Sequence, residues 1–127
     1  MINVVCGVIR DKQGRLLVCR RPEGKALAGK WEFPGGKVEL DEPPEQALRR
    51  ELSEELACEI DVGKALPEVE HHYTGFSIRL LPFLCSLKSG EPIALEHSEI
   101  RWITPDQCSS LDWAEADVSI WEVLVSC

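Results

Sequence analysis

Gly36-(x)5-Glu42-(x)7-Arg50-Glu51-Leu52-x-Glu54-Glu55 is the stretch on which the reading of this chain turns. It places three glutamates within five residues, shortly after a Pro34-Gly35-Gly36 turn signal. The spacing predicts a helix from about Pro44 to Leu56. Proline suits a first helical position, where its missing N–H costs nothing. Leu48, Leu52 and Leu56 recur every four residues as a core stripe. At about 100° per residue, Glu51, Glu54 and Glu55 fall in one sector beside that stripe. Ala47 lies in the same sector one turn earlier, small enough to leave space for a ligand. Two unit charges ~5 Å apart repel by ~3 kcal/mol at an effective dielectric near 20. A carboxylate cluster of this kind needs cations, which points to divalent-metal chemistry.

Outward from this segment the pattern is mostly strands. Residues 2–9 read as a buried strand, Asp11-Lys12-Gln13-Gly14 as a turn, and Arg15 to Arg20 as the returning strand of a hairpin. A loop rich in Gly, Pro and charge over 21–30 leads to a short extended Trp31-Glu32-Phe33. Beyond Asp61, strands are expected at roughly 67–74, 76–87 and 99–103. Thr104-Pro105-Asp106-Gln107 has the form of a capping box opening a short helix. Val118, Trp121, Leu124 and Val125 have helical spacing, so a terminal helix is expected from Ala114 to about Ser126. The order implies an α/β (α+β) fold, a mixed β-sheet sandwiched between helices, in a single domain over residues 1–127.

With 127 residues and a net charge of −8, the chain lacks the basic surface that phosphate-backbone binding requires, so no nucleic-acid partner is expected. No apolar run approaches the ~20 residues of a membrane span. The six cysteines (Cys6, Cys19, Cys58, Cys85, Cys108, Cys127) form no CxxC pair and are widely spaced, and no signal peptide precedes them. They read as reduced thiols in a cytoplasmic protein, a monomer or weak homodimer. His71 and His72 lack a third ligand at zinc-type spacing and read as polar strand residues. The tryptophans read mostly as core or wall, Trp31 as packing.

The box resembles that of the Nudix hydrolase family, and Trp31-Glu32-Phe33-Pro34-Gly35-Gly36-Lys37-Val38-Glu39 resembles its MutT branch. The resemblance spans nearly the whole chain. It departs where the box normally ends in Gly and an aliphatic residue; Ala57 and Cys58 stand there. The family implies hydrolysis of a nucleoside triphosphate to the monophosphate and pyrophosphate. By resemblance, Glu51, Glu54, Glu55, the Gly35 carbonyl and Glu96 would hold Mg²⁺, a hard cation suited to oxygen ligands, with Mn²⁺ as a substitute. Glu51 is the first choice for general base and Glu96 the alternative. A Glu42–Arg50 ion pair would tie the loop to the helix and orient its neighbours, so Arg50 joins Glu51, Glu54 and Glu55 in the catalytic set. Gly36 and Glu42 complete the box structurally. Arg21 and Lys37 would reach the phosphates.

In the MutT branch an Asn near the start of the last helix reads an oxidised guanine, helped by the backbone around the Phe that is Phe33 here. Asp117 occupies that place. An ionised Asp only accepts hydrogen bonds and suits the exocyclic amine of cytosine, whereas a neutral Asp in a dry pocket also donates and suits an oxidised purine. Asp117 as a helix cap is a third possibility. The leading expectation is a nucleotide-pool-sanitising enzyme acting on 8-oxo-dGTP, which would keep oxidised nucleotides out of DNA replication and spare DNA repair. A CTP, dCTP or 5-methyl-dCTP pyrophosphohydrolase is the alternative. A non-catalytic nucleotide-binding module and a hydrolase of dinucleoside polyphosphates or nucleotide sugars are the other classes.

Overall fold

The apolar run Val4-Val5-Cys6-Gly7-Val8-Ile9 has no polar face because β1 (Ile2–Ile9) lies between two helices, as a doubly covered strand must. The computed structural model describes residues 1–125, in which β1 is followed by β2 (Leu16–Arg20), β3 (Trp31–Glu32), β4 (Gly35–Lys37) and α1 (Pro44–Leu56). Then come β5 (Glu59–Ala65), β6 (Val69–Tyr73), β7 (Phe76–Ser89), β8 (Glu99–Ile103), a 3-10 turn (Pro105–Ser110) and α2 (Glu115–Val125). Val5 and Ile9 pack with Ala47, Leu48, Leu52 and Leu56 of α1. Cys6 and Val8 pack with Ala116 and Ile120 of α2. β2 divides in the same way, Leu17 and Cys19 toward α1 and Leu16 and Val18 toward α2. The expected sandwich of mixed sheet between helices is present.

The strands form two sheets. One runs β4-β1-β7-β5, with β6 also pairing β7; the other runs β3-β2-β8. β1 and β7 are parallel, from Ile2↔Ile78 to Ile9↔Cys85, and the other pairings are antiparallel. The predicted β1–β2 hairpin is corrected here. Only an isolated bridge, Arg10↔Leu16, joins the two strands, and β2 crosses to the second sheet, where β8 pairs its whole length. The turn Asp11–Gly14 does form, with the Asp11 carboxylate accepting from Gln13 and Arg15 N–H, but it redirects the chain between sheets. Pro34-Gly35-Gly36, expected as a turn, instead leads into β4. Gly35 and Gly36 belong to a strand, opposite Cys6 and Val5, because only glycine lets the backbones come this close; a Cβ on Gly35 would overlap the Val5 carbonyl. β5 escaped the sequence reading because its burial pattern is largely exposed, with Ile60 alone fully buried. Ser126, expected in the last helix, and Cys127, expected as a thiol, lie outside the described residues. The other five cysteines are free and buried.

At the end of α1, Ala57 adopts the left-handed conformation (φ 53°), its N–H donating to Ser53 O at 3.1 Å. This is the position where the resemblance calls for glycine, and the alanine that stands there is exposed. Ala57→Gly is therefore expected to stabilise the protein by about 1 kcal/mol, read as a higher urea midpoint at unchanged m-value; an unchanged or lower midpoint would refute the strain.

Candidate active site

A cleft of about 590 Å³, within the range of small-molecule sites, opens over α1, β4 and the start of β1. Glu51, Glu54, Glu55 and Glu96 line it, together with Glu32, Asp117, Arg21, Lys25 and Lys37. The remaining wall is apolar, with Phe33, Tyr73, Phe76, Ile78 and Leu80. The three box glutamates do share one side of the helix, and they differ in depth. Glu54 is exposed, Glu51 half-buried and Glu55 buried. Ala47, expected to leave ligand space beside them, does not line the cleft; it is fully buried in the core cluster that holds Leu17 and Ile60, where its methyl packs on the sheet side of the helix.

Arg50 fixes this face. Its Nε and Nη2 grip the Glu42 carboxylate at 2.9 and 3.0 Å, while Nη1 donates to Glu51 Oε1 at 2.9 Å and reaches Glu54 Oε2 at 3.5 Å. Nη2 also donates to the Lys37 carbonyl at 3.1 Å, tying helix to strand. The Glu42 carboxyl is held below its ordinary pKa, first by the bond from Arg50 and then by the Glu39 N–H. The Glu51 carboxyl is pushed up, by burial first, against the opposing pull of Arg50. Gly36 is needed beneath it: a Cβ there would run into the Glu51 carboxyl group. Gly36→Ala should thus displace Glu51 and lower turnover by roughly 10²-fold with the fold retained; turnover within twofold of the unmodified chain would refute this packing.

Glu55 is the most deeply buried of the three box glutamates. Its Oε2 is buried without a hydrogen-bond partner. Its pKa is pushed up to about 9, by burial first and then by the charges of Glu51, Glu32 and Glu96, with Arg21 opposing. An orphaned carboxylate oxygen among like charges, in a set of hard oxygen donors, fits a divalent cation. Among the described residues, no three of His, Cys, Asp or Glu converge into a closed metal cage. That is compatible with Mg²⁺, which keeps several waters and shares its coordination with substrate phosphates. The loop bearing Glu96 is anchored to the end of α1, Ile93 N–H donating to Leu56 O and Leu95 N–H to Glu55 O, which also satisfies two terminal helix carbonyls.

At the apolar end, Asp117 is buried, and its Oδ2 accepts the Phe33 N–H at 2.8 Å. The helix-cap reading is thereby overturned: Asp117 lies inside the first turn of α2, and its carboxylate is engaged across the cleft floor by β3's end. Burial raises its pKa well above the ordinary range, helped by the Glu32 charge and opposed by the Phe33 N–H. Phe33 itself is buried against Trp113, ring centroids 5.0 Å apart. Tyr73 and Phe76 stack at 5.0 Å on the opposite hairpin, and Tyr73 Oη accepts the Ala116 N–H. Lys37 is an exposed residue of the cleft wall. Arg21 is not free: it donates to Glu32 Oε1 at 3.0 Å and to Ala26 O at 2.6 Å. His71 pairs with Glu115 and His72 with Ser77, both outside the cleft, as polar strand residues. Trp31 is buried packing, with the Arg101 guanidinium 4.8 Å over its ring. Sequence reasoning passed over Glu32 and His97, which bond each other at 3.1 Å. Glu32 was legible as the polar residue between buried Trp31 and Phe33 in a short extended segment; nothing in the sequence marked His97.

A family model described as NUDIX domain matches residues 5–123. The CTP pyrophosphohydrolase of Escherichia coli (strain K12) is 36% identical over 126 residues, covering 99% of this chain and 93% of the relative. The 8-oxo-dGTP diphosphatase of Proteus vulgaris is 41% identical over 83 residues, covering 65% of this chain and 74% of the relative. Among solved structures, a MutT protein from Methanosarcina mazei Go1 is similar with a TM-score of 0.86 at 26% identity, covering 96% of this chain and 91% of that one.

Proposed function

The chain belongs to the Nudix family of hydrolases, in its MutT-like branch, and from that premise we propose that it is a Mg²⁺-dependent pyrophosphohydrolase whose preferred substrate is 8-oxo-dGTP. It would act as a single domain over residues 1–127, a monomer or weak homodimer in the cytoplasm, where buried free thiols persist. The observation that carries the substrate choice is the buried Asp117 carboxyl, raised toward its neutral form and accepting the Phe33 N–H through Oδ2. A neutral carboxyl so held keeps its proton on Oδ1, and so offers a donor to an oxidised purine. The second reading, a CTP or dCTP pyrophosphohydrolase, is favoured by the near-full-length similarity to the Escherichia coli relative of that name.

Glu51, Glu54, Glu55, Glu96 and the Gly35 carbonyl would hold Mg²⁺ or Mn²⁺. When bound, the metal supplies charge neutralisation at the phosphates and a more acidic water. The protein's own groups do the rest. Arg50 orients Glu51 through Oε1, leaving Oε2 to take the proton of the attacking water, with Glu96 as the alternative acceptor. Arg21 and Lys37 bind phosphate oxygens, and Phe33, Tyr73 and Phe76 exclude water from the base.

Pyrophosphate release in MgCl2 from 8-oxo-dGTP, dCTP, CTP and 5-methyl-dCTP tests this. The expected result is a kcat/KM for 8-oxo-dGTP at least about tenfold above the others. Cytidine nucleotides ahead would establish the second reading. Release from none would make the chain a binding module, and turnover of dinucleoside polyphosphates or nucleotide sugars alone would overturn both triphosphate readings.

A further inference from the structure

We propose that His97 is a positioning residue that, through Glu32, keeps the Arg21 guanidinium open to the phosphate chain of the nucleotide; this rests on the phosphate-binding role given to Arg21 above. The ring of His97 is buried on the loop between β7 and β8. Its Nε2 lies 3.1 Å from Glu32 Oε2, an acceptor, so the bond requires the proton on Nε2. The other Glu32 oxygen, Oε1, accepts Arg21 Nη1 at 3.0 Å. The loop holding His97 is pinned at its far side by Ser98 N–H to Arg20 O at 3.1 Å, next to Arg21 in the chain.

Carboxylate and guanidinium groups favour a two-bond fork. Arg50 and Glu42 adopt it in the same molecule, with bonds of 2.9 and 3.0 Å to the two oxygens. Arg21 and Glu32 do not, although both line the cleft. Two things separate the pairs: Ala26 O takes the Arg21 Nε that the Arg50 fork uses, and His97 occupies the Glu32 oxygen that a second Arg21 N–H would take. With Nε committed to Ala26 O and Nη1 to Glu32, the guanidinium plane is set and its remaining N–H groups are left for a ligand. Packing does not account for a histidine here. Its Nδ1 is buried without a partner, and an apolar ring would fill the space without that penalty.

Steady-state kinetics on the best triphosphate of the panel, with thermal melts, test the relay. His97→Phe is expected to raise KM about tenfold with kcat changed less than threefold and Tm not lowered. His97→Gln, which restores an N–H donor, should recover most of the loss. Arg21→Ala should also raise KM, and in its background His97→Phe should be silent. Equal effects of His97→Phe with and without Arg21 would overturn the relay alone, as would a lowered Tm with KM unchanged. An Arg21→Ala enzyme with unchanged KM would overturn the role of Arg21 and the relay with it. Should His97→Phe fail to fold, nitrogen NMR of histidine-labelled wild type decides. The Nε2–H signal of His97 should move when the α,β-methylene analogue of the triphosphate saturates the cleft in MgCl2 and stay unmoved in Arg21→Ala; no movement in the wild type would overturn the proposal.

Discussion

Exchange of Glu55 for glutamine is expected to lower kcat by roughly 10²–10⁴-fold and, in metal-free protein, to raise stability. Both effects arise from one environment. Glu55 is buried, one of its oxygens is unpartnered, and its pKa lies at about 9 against 4.5 for an ordinary glutamate. Between those values the folded chain holds a proton that the unfolded chain has released. Stability contributed by this group is therefore whole below about pH 4.5 and is lost progressively as pH rises toward 9. Glutamine does not titrate, so the variant's advantage in EDTA should be small at pH 5 and several degrees of Tm at pH 8. A divalent cation should reverse the order, stabilising the unmodified chain and not the variant. Glu51→Gln should show a comparable loss of turnover. Near-normal turnover of either purified variant would remove these glutamates from the metal site.

Asp117→Asn is expected to change the balance between purine and pyrimidine substrates by roughly 10–100-fold. The carboxyl is raised by burial first and by Glu32 second, so its neutral, donating form persists well above the usual carboxylate range and disappears as pH rises through the folded value. The unmodified enzyme should accordingly lose kcat/KM for 8-oxo-dGTP on its alkaline side. Asparagine keeps one donor and one acceptor at every pH, and that limb should vanish. Measurement of kcat/KM for 8-oxo-dGTP and dCTP from pH 6 to 9 distinguishes the cases. Loss confined to dCTP would favour the cytidine reading, and unchanged selectivity with an unchanged profile would deny Asp117 any role in base recognition.

The helix from Pro44 to Leu56 was legible to the residue, because a proline start, a four-residue leucine spacing and three glutamates all report on local geometry. The Glu42–Arg50 pair was legible for the same reason, the partners being eight residues apart in one motif. What escaped was set by distance along the chain. β2 looked like the partner of β1 because an Asp-x-x-Gly turn separates them, and the pairing that β8 offers it lies some eighty residues on. Gly35 and Gly36 read as a turn because sequence shows their freedom and not the Val5 carbonyl pressed against them. His97 looked like any polar loop residue, since the Glu32 oxygen it meets is 65 positions away. The carboxyl of Asp117 likewise depends on the Phe33 N–H, 84 positions away.

The parallel register of β1 with β7 has a consequence for how the protein is made. Ile2 must find Ile78, and Ile9 must find Cys85, before the larger sheet exists. β4 and α1, which carry Gly35, Gly36 and the three box glutamates, lie inside the loop which that pairing closes. Closing a loop of this length precedes any reward from it, so such topologies fold in the slower range of small domains. During synthesis, β1 waits without its β7 partner until β7 has left the ribosome, and at ~5–20 residues per second that is a wait of several seconds. The helix that holds the chemistry is written early in the chain and acquires its floor late.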